Sequence, residues 1–174
     1  ELTSRIEVGL RGGKLSRIAD CYPPKLQDEV IVQRFNVPFA YNVHFTNKAL
    51  APSNRLLVNA ICLNKTSEVR RVFAIVDEGL LKARPSLSSE LRNYFKAHRG
   101  SMRLVAPPLC VPGGERVKDD PHWLLQIHEK LHRFHIDRHS VVLTVGGGAV
   151  LDMAGFAAAT THRGVRNVRV PTTL

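Results

Sequence analysis

Three consecutive glycines, Gly146-Gly147-Gly148, stand between an apolar β-rich run at 141–145 and an alanine-rich run at 149–161. Strand, glycine turn and helix in that order make a place to bind phosphate. Glycine lacks the Cβ that would hold a pyrophosphate at a distance, and the first N–H groups of the following helix, at its positive dipole end, face the anion. Gly147 and Gly148 are the residues placed to make those contacts. The turn is neither G-x-G-x-x-G nor a Walker loop, because no Gly-Lys-Ser/Thr follows it. A tight turn whose dihedrals only glycine satisfies accounts for the same residues; Asp152 argues for a ligand. It lies one turn into a helix otherwise built of Ala, Val, Leu, Met, Gly and Phe, where an ionised carboxylate is expected to be buried and to need a partner. A cofactor amide or hydroxyl would be such a partner.

A second pattern with chemical meaning is His128-Glu129-Lys130-Leu131-His132, which matches H-E-x-x-H, the zinc-protease arrangement of two histidines one helical turn apart with a glutamate as base. The same helix needs Leu124, Ile127, Leu131 and Phe134 on its buried stripe, and His128, His132 and His135 fall along the edge of that stripe. No Gly-x-x-His extension follows, and Lys130 and Arg133 set positive charge beside the supposed cation, so boundary residues are the better reading. Asp120-Pro121 reads as a helix N-cap followed by proline at the first helical position. Arg70-Arg71, Arg166 and Arg169 read as solvated charge. Cys21, Cys62 and Cys110 have neither paired spacing nor a histidine at a suggestive separation, so they form neither a zinc ribbon nor a disulfide scaffold, and a reducing, cytoplasmic compartment is expected.

The elements that must position these residues follow α/β order. Val30-Ile31-Val32 and the run 39–45, split by Asn36-Val37-Pro38, read as a leading hairpin within 28–46, after a loose tail over 1–27. Leu56, Leu57, Ala60, Ile61 and Leu63 fit a helix, and Val72-Phe73-Ala74-Ile75-Val76 is a continuous apolar run ending at Asp77, as in a strand covered on both faces. A helix near 87–98, a strand at 102–106, a helix at 121–136, a strand at 140–145, a helix from Ala149 and a strand at 165–170 complete the alternation. This predicts a mostly parallel sheet with helices on both faces, a Rossmann-like α/β fold. The Pro/Gly cluster from Pro107-Pro108 to Gly113-Gly114 reads as a functional loop. With 174 residues and 44% apolar content the chain is long enough for one substantial core. Its formal charge of +10 comes from scattered basic residues without an aromatic-flanked stripe, which suits an anionic metabolite better than nucleic acid. No run approaches the ~18 apolar residues of a membrane span.

The spaced set Gly146-Gly147-Gly148-Ala149-Val150-Leu151-Asp152-Met153-Ala154-Gly155-Phe156-Ala157-Ala158, then Arg163-Gly164, then Pro171-Thr172-Thr173-Leu174 resembles the 3-dehydroquinate synthase-like sugar-phosphate cyclases. Upstream, Pro112-Gly113-Gly114-Glu115-Arg116-Val117-Lys118 resembles the family's Gly-Glu-x-x-Lys loop, and Asp77 closes the strand that in the family ends in Asp-x-Asn. Here that motif is Asp77-Glu78-Gly79, so the asparagine is absent. Ala-Val-Leu-Asp-Met with Ala-Thr-Thr-His-Arg-Gly resembles most the cyclase homologues of Ebo-type gene clusters, less the valiolone synthases.

The resemblance spans roughly 28–174 and implies an NAD-binding domain whose helical C-terminal partner domain lies beyond Leu174. It implies that Asp77, Glu115 and Lys118 hold the adenosine side of NAD, that Gly147 and Gly148 hold its pyrophosphate, and that Asp152, Thr172 and Thr173 lie near the nicotinamide. Arg163 is implied as the contact to a substrate phosphate, reached across the interface of a homodimer; its planar fork suits phosphate oxygens. Family members oxidise a carbinol of a sugar phosphate, eliminate phosphate, return the hydride and close the ring by an aldol step. The divalent metal, zinc or cobalt, would be held by one glutamate and two histidines beyond Leu174, so this chain alone is expected to be inactive. Two other readings stand beside this one: a non-catalytic homologue acting as a binding or scaffold protein, suggested by Gly79, and an iron-dependent alcohol dehydrogenase relative, which shares the Gly-Gly-Gly turn and Pro-Thr-Thr segment.

Overall fold

The computed structural model describes residues 34, 36, 41–63 and 68–172. The chain forms two compact units, Glu1–Val43 and His44–Leu174, and the second carries every helix and strand among the described residues. In chain order these are α1 (Leu56–Ile61), β1 (Arg70–Asp77), α2 (Glu78–Ala83), α3 (Leu87–Ala97), β2 (Met102–Leu104), β3 (Leu109–Val111), α4 (Arg116–Asp119), α5 (Pro121–Arg133), β4 (Val141–Gly146), α6 (Gly148–Thr160) and β5 (Arg166–Pro171).

All strands run parallel. β4 lies between β1 and β5, pairing Val72 with Val141 and Gly146 with Pro171. The other edge of β1 is shared: its first half pairs with β2, its second half with β3. The break between them is Val105-Ala106-Pro107-Pro108, where the prolines lack the N–H a continuous ladder needs. β3 was not legible in sequence because its three residues sit inside the Pro/Gly-rich stretch read as a loop.

Alternation along β1 and β4 sorts two cores. Phe73, Ile75 and Val142 pack with α4, α5 and α6 on one face, while Val72, Ala74, Val76, Val141, Leu143 and Val145 pack with α1 and α3 on the other. Both faces are covered, which is why these strands read as unbroken apolar runs. Each fully buried side chain such as Phe73 or Ile75 contributes about 1.5–3 kcal/mol, so the sheet centre is the rigid base for whatever its ends carry.

The leading hairpin needs correction where it can be described. Val30–Val32 lies outside the described residues; residues 41–46 are described and form no strand. Tyr41, Val43 and Phe45 are strongly exposed, and β-propensity is realised only where such side chains pack on a half-buried sheet surface. The helix expected over 121–136 also ends earlier than its apolar spacing suggests: α5 stops at Arg133 with Phe134 as its cap, and His135 then turns left-handed at φ 49.

Candidate functional site

The chain leaves β1 toward β2 and leaves β4 through α6 toward β5, so the direction of crossover reverses between β1 and β4. In open parallel sheets the crevice outside the strand ends at such a reversal is where ligands bind. Asp77 and Gly146 are the last residues of these two strands.

Asp77 sits in a niche walled by glycine. A Cβ on Gly113 would fall 2.6 Å from its Oδ2 and 2.8 Å from its Oδ1, and one on Gly146 would fall 2.9 Å from its Cβ. Its Oδ1 accepts the Gly79 N–H at 2.8 Å and that of Leu80 at 3.3 Å, capping α2. Gly79, standing where the resemblance expects asparagine, therefore serves the aspartate through its backbone. Oδ2 carries no hydrogen bond among the described residues and is free for a ligand hydroxyl.

Across the crevice α6 begins with Gly147 as N-cap and no side chain capping its first N–H groups. Four such groups lack intrahelical partners at any helix start; here Gly148 is exposed, and a Cβ built on it would meet nothing within 4 Å. Donors and open space coincide, as a pyrophosphate requires. The third strand contributes Thr172, whose N–H donates to the Gly146 carbonyl at 3.0 Å; Thr173 lies outside the described residues.

Asp152 differs from expectation. It is exposed, on the outer side of an otherwise apolar α6, and its partners are Lys118 at 3.1 Å and Arg169 at 3.8 Å. Uniform apolarity of a helix does not bury every position on it, because α6 packs only part of its circumference against β4, β5 and α5. Lys118 also pairs with Glu115 at 3.1 Å, and hydrogen bonds to Glu115 and then Asp152 hold its ammonium above the usual lysine range. Lys118 and Asp152, assigned by resemblance to opposite ends of a dinucleotide, thus touch each other. One of them must turn away for both to serve the ends of one extended ligand.

Arg163 lies past the carboxyl end of α6, opposite the glycine turn that opens it. It follows α6, whose 13 residues span about 20 Å at ~1.5 Å per residue, so it cannot reach the glycine turn of its own chain. It lies in a left-handed run, His162 φ 49, Arg163 φ 65 and Gly164 φ 112, exposed and with no hydrogen bond or ion pair among the described residues.

Residues 108–174 match the model of the 3-dehydroquinate synthase N-terminal family. The chain is 47% identical over 66 residues to the 3-dehydroquinate synthase of Macrococcus caseolyticus, covering 38% of this chain and 18% of that protein. It is 33% identical over 135 residues to the 2-epi-5-epi-valiolone synthase of an Actinomyces species, covering 77% of this chain and 33% of that one. The chain belongs to the 3-dehydroquinate synthase-like family. It spans about a fifth to a third of the length of these relatives. The fold agrees with two solved structures. One is the 2-epi-5-epi-valiolone synthase of Streptomyces hygroscopicus with NAD+ and Zn2+ bound (TM-score 0.57, 22% identity, 80% of this chain and 35% of that one). The other is 2-deoxy-scyllo-inosose synthase complexed with carbaglucose-6-phosphate, NAD+ and Co2+ (TM-score 0.53, 24% identity, 68% and 30%).

Within this 3-dehydroquinate synthase-like domain the rival metal reading has no support. His128 Nε2 is 3.0 Å from Thr160 Oγ1, tying α5 to α6, and His132 is exposed. Among the described residues no three His, Cys, Asp or Glu side chains gather as metal ligands. Asp120 caps α5 through the His122 N–H at 2.9 Å, as its Asp-Pro signature predicts. Of the arginines read as solvated, Arg70, Arg71 and Arg166 cap carbonyls instead, while Arg169 is exposed. Arg70 and Arg71 donate to the His139 and Phe134 carbonyls. Arg166, its pKa lowered by burial, donates to the Ala60 and Ile61 carbonyls at the end of α1. Arg169 lies over Gly155, where a Cβ would collide with its guanidinium. These roles depend on loop carbonyls and a glycine gap that residue type alone does not announce. Burial raises the Cys62 thiol pKa, so it is not an activated nucleophile.

Proposed function

We propose that this domain holds the NAD of an NAD- and metal-dependent sugar-phosphate cyclase of the 3-dehydroquinate synthase type. The observation that carries the reading is the coincidence, at the crossover reversal, of open N–H groups at Gly147 and Gly148 with Asp77 in a niche that side chains on Gly113 and Gly146 would fill. The cradle fits a dinucleotide: the amides take the pyrophosphate, and Asp77 Oδ2 accepts from a ribose hydroxyl with Glu115 and Lys118 beside it. Asp152, Thr172 and Thr173 are the residues assigned to the nicotinamide end.

Bound NAD supplies a reversible hydride acceptor, so that a carbinol can be oxidised and later restored within one turnover. The chain's own residues bind and orient it; the divalent metal, zinc or cobalt, is assigned, as the family resemblance implies, to one glutamate and two histidines outside this domain. Arg163, held outward on strained backbone, is assigned to the substrate phosphate of a second subunit in a homodimer. Positive φ at a non-glycine residue concentrates where function demands it. A cytoplasmic setting agrees with the unpaired Cys62 and Cys110. No helix among the described residues is long and apolar enough to cross a membrane.

The test is NAD titration into this chain by calorimetry, then incubation of the full-length protein with a heptulosonate phosphate or sedoheptulose phosphate, NAD and Zn2+ or Co2+. Phosphate release without net NADH supports the cyclase. Net NADH formation would assign the protein to the alcohol dehydrogenase side, and NAD binding with no turnover of any sugar phosphate would favour the non-catalytic homologue.

A further inference from the structure

One cavity of this domain lies apart from the glycine turn. It measures about 510 Å³ and lies between the loop at 48–52, the α2–α3 pair and the carboxyl ends of β4 and β5. It meets the site above only at Thr172, whose N–H is bonded to Gly146. The cavity therefore opens at the same edge of the sheet, on the face opposite α6. We propose that it is a chamber for an anionic polyol and that the Lys48 ammonium fixes the anionic group. The inference deepens the cyclase reading, on which it rests for the identity of the ligand, by naming where the sugar phosphate lies.

Three observations support it. The volume falls in the ~300–1,000 Å³ range of small-molecule sites, and the lining pairs an apolar floor (Leu80, Leu87, Val145, Val170) with hydrogen-bonding groups at the rim. Secondly, the charge on that rim is sorted. Arg84 is paired with Glu90 at 2.6 Å, and Glu90 also accepts from Ser86 Oγ at 2.8 Å. The two charges offset each other, and the Lys48 ammonium, with no ionic partner among the described residues, is left as the cavity's net charge.

The third is the backbone that presents Lys48. Its φ of 51 is left-handed, a conformation that lysine rarely adopts. It is held by Ala51 N–H donating to the Lys48 carbonyl at 2.8 Å and by the Asn54 amide donating to Thr46 Oγ1 at 2.8 Å and the Asn47 carbonyl at 3.0 Å. Asn54 is fixed in turn by the fully buried Tyr94, whose hydroxyl donates to the Asn54 carbonyl at 2.7 Å and accepts from the Val58 N–H at 3.1 Å. A core tyrosine thus anchors a strained surface turn whose product is a lysine at the cavity mouth. Strain maintained by surrounding structure is a mark of functional placement.

The experiment titrates sedoheptulose 7-phosphate, inorganic phosphate and NAD separately into the full chain and into its Lys48→Asn and Lys48→Arg variants. Asparagine tolerates left-handed backbone, so the turn survives and only the charge is lost. Loss of one charge-assisted contact is expected to weaken sugar-phosphate binding about tenfold or more in Lys48→Asn, with Lys48→Arg within a few-fold of the parent and NAD affinity unchanged. Equal sugar-phosphate affinity in the parent and Lys48→Asn, or no binding in the parent, overturns the proposal. Inorganic phosphate binding as tightly as the sugar phosphate overturns its polyol part. Lys48-dependent sugar-phosphate binding in a chain that fails to bind NAD would sink the cyclase reading while leaving the chamber in place.

Discussion

Replacing Gly113 by alanine tests the glycine niche directly. The new Cβ would stand 2.6 Å and 2.8 Å from the two Asp77 carboxylate oxygens and 3.0 Å from Cγ, where ordinary contact begins near 3.4 Å. The carboxylate must move by more than half an ångström, and the 2.8 Å bond from Gly79 that caps α2 is the contact it gives up. Loss of an N-cap costs about 1 kcal/mol, and loss of a charge-assisted bond to a ribose hydroxyl costs a further ~1.5–3 kcal/mol of binding, or about ten- to a hundredfold in NAD affinity. Urea unfolding and NAD calorimetry read the two effects separately. The decisive comparison is the cycle with Asp77→Ala: once the carboxylate is gone, Gly113→Ala has nothing to strike and is expected to add almost nothing to either loss. Additive effects in the double variant would falsify the niche as the reason for glycine at 113.

Tyr94→Phe removes the hydroxyl that joins Val58 to Asn54 and is expected to cost about 1–3 kcal/mol in urea unfolding, since buried backbone groups lose their partner. Asp120→Ala removes the α5 cap and is expected to cost about 1 kcal/mol in the same assay, with NAD affinity unchanged. The Lys118 pKa is raised by Glu115 and Asp152, so its charge is complete below the unfolded lysine value of about 10.4 and is lost only as pH rises through the higher folded value. NAD affinity is therefore expected to be flat from pH 6 to 9, and a decline within that window contradicts a role for the Lys118 charge. Arg163→Ala is expected to leave NAD affinity unchanged and to lower phosphate release by the full-length protein at least tenfold or so. Mixing it with Asp77→Ala subunits should restore activity, because one composite site in the heterodimer is intact; no recovery on mixing contradicts service across the interface.

Much of the frame is legible in the sequence because its signals are local. The run at 72–76 ends in Asp77, the glycines follow the run at 141–145, and Asp120-Pro121 opens α5; each is a short-range consequence of backbone geometry or of burial on both faces of a sheet. What sequence does not show is which residues meet. Gly113 and Asp77 are 36 positions apart and become neighbours only because β3 pairs with the end of β1. Arg166 reaches α1 across a still longer separation, and nothing in an arginine between Val165 and Asn167 tells a cap on helix-end carbonyls from a solvated charge. The burial expected for Asp152 fails for the same reason: apolar composition does not mean burial all round, because a helix laid on a sheet keeps an outer side.

The positions of Asp152 and Arg163 also bear on how the site is divided. Most of α6 separates them: Asp152 lies one turn into the helix beside the glycine turn, and Arg163 follows the helix end at Thr160 on strained backbone. If both act on one ligand assembly, a single chain cannot bring them together without unfolding α6, whose buried side chains form much of one core. On the proposed reading Arg163 serves the substrate phosphate of a second copy and not the dinucleotide cradle of its own chain. On that arrangement the strain at His162 and Arg163 would hold an arginine in place for a neighbouring subunit, and the heterodimer test above separates this from a turn that is strained for local reasons alone.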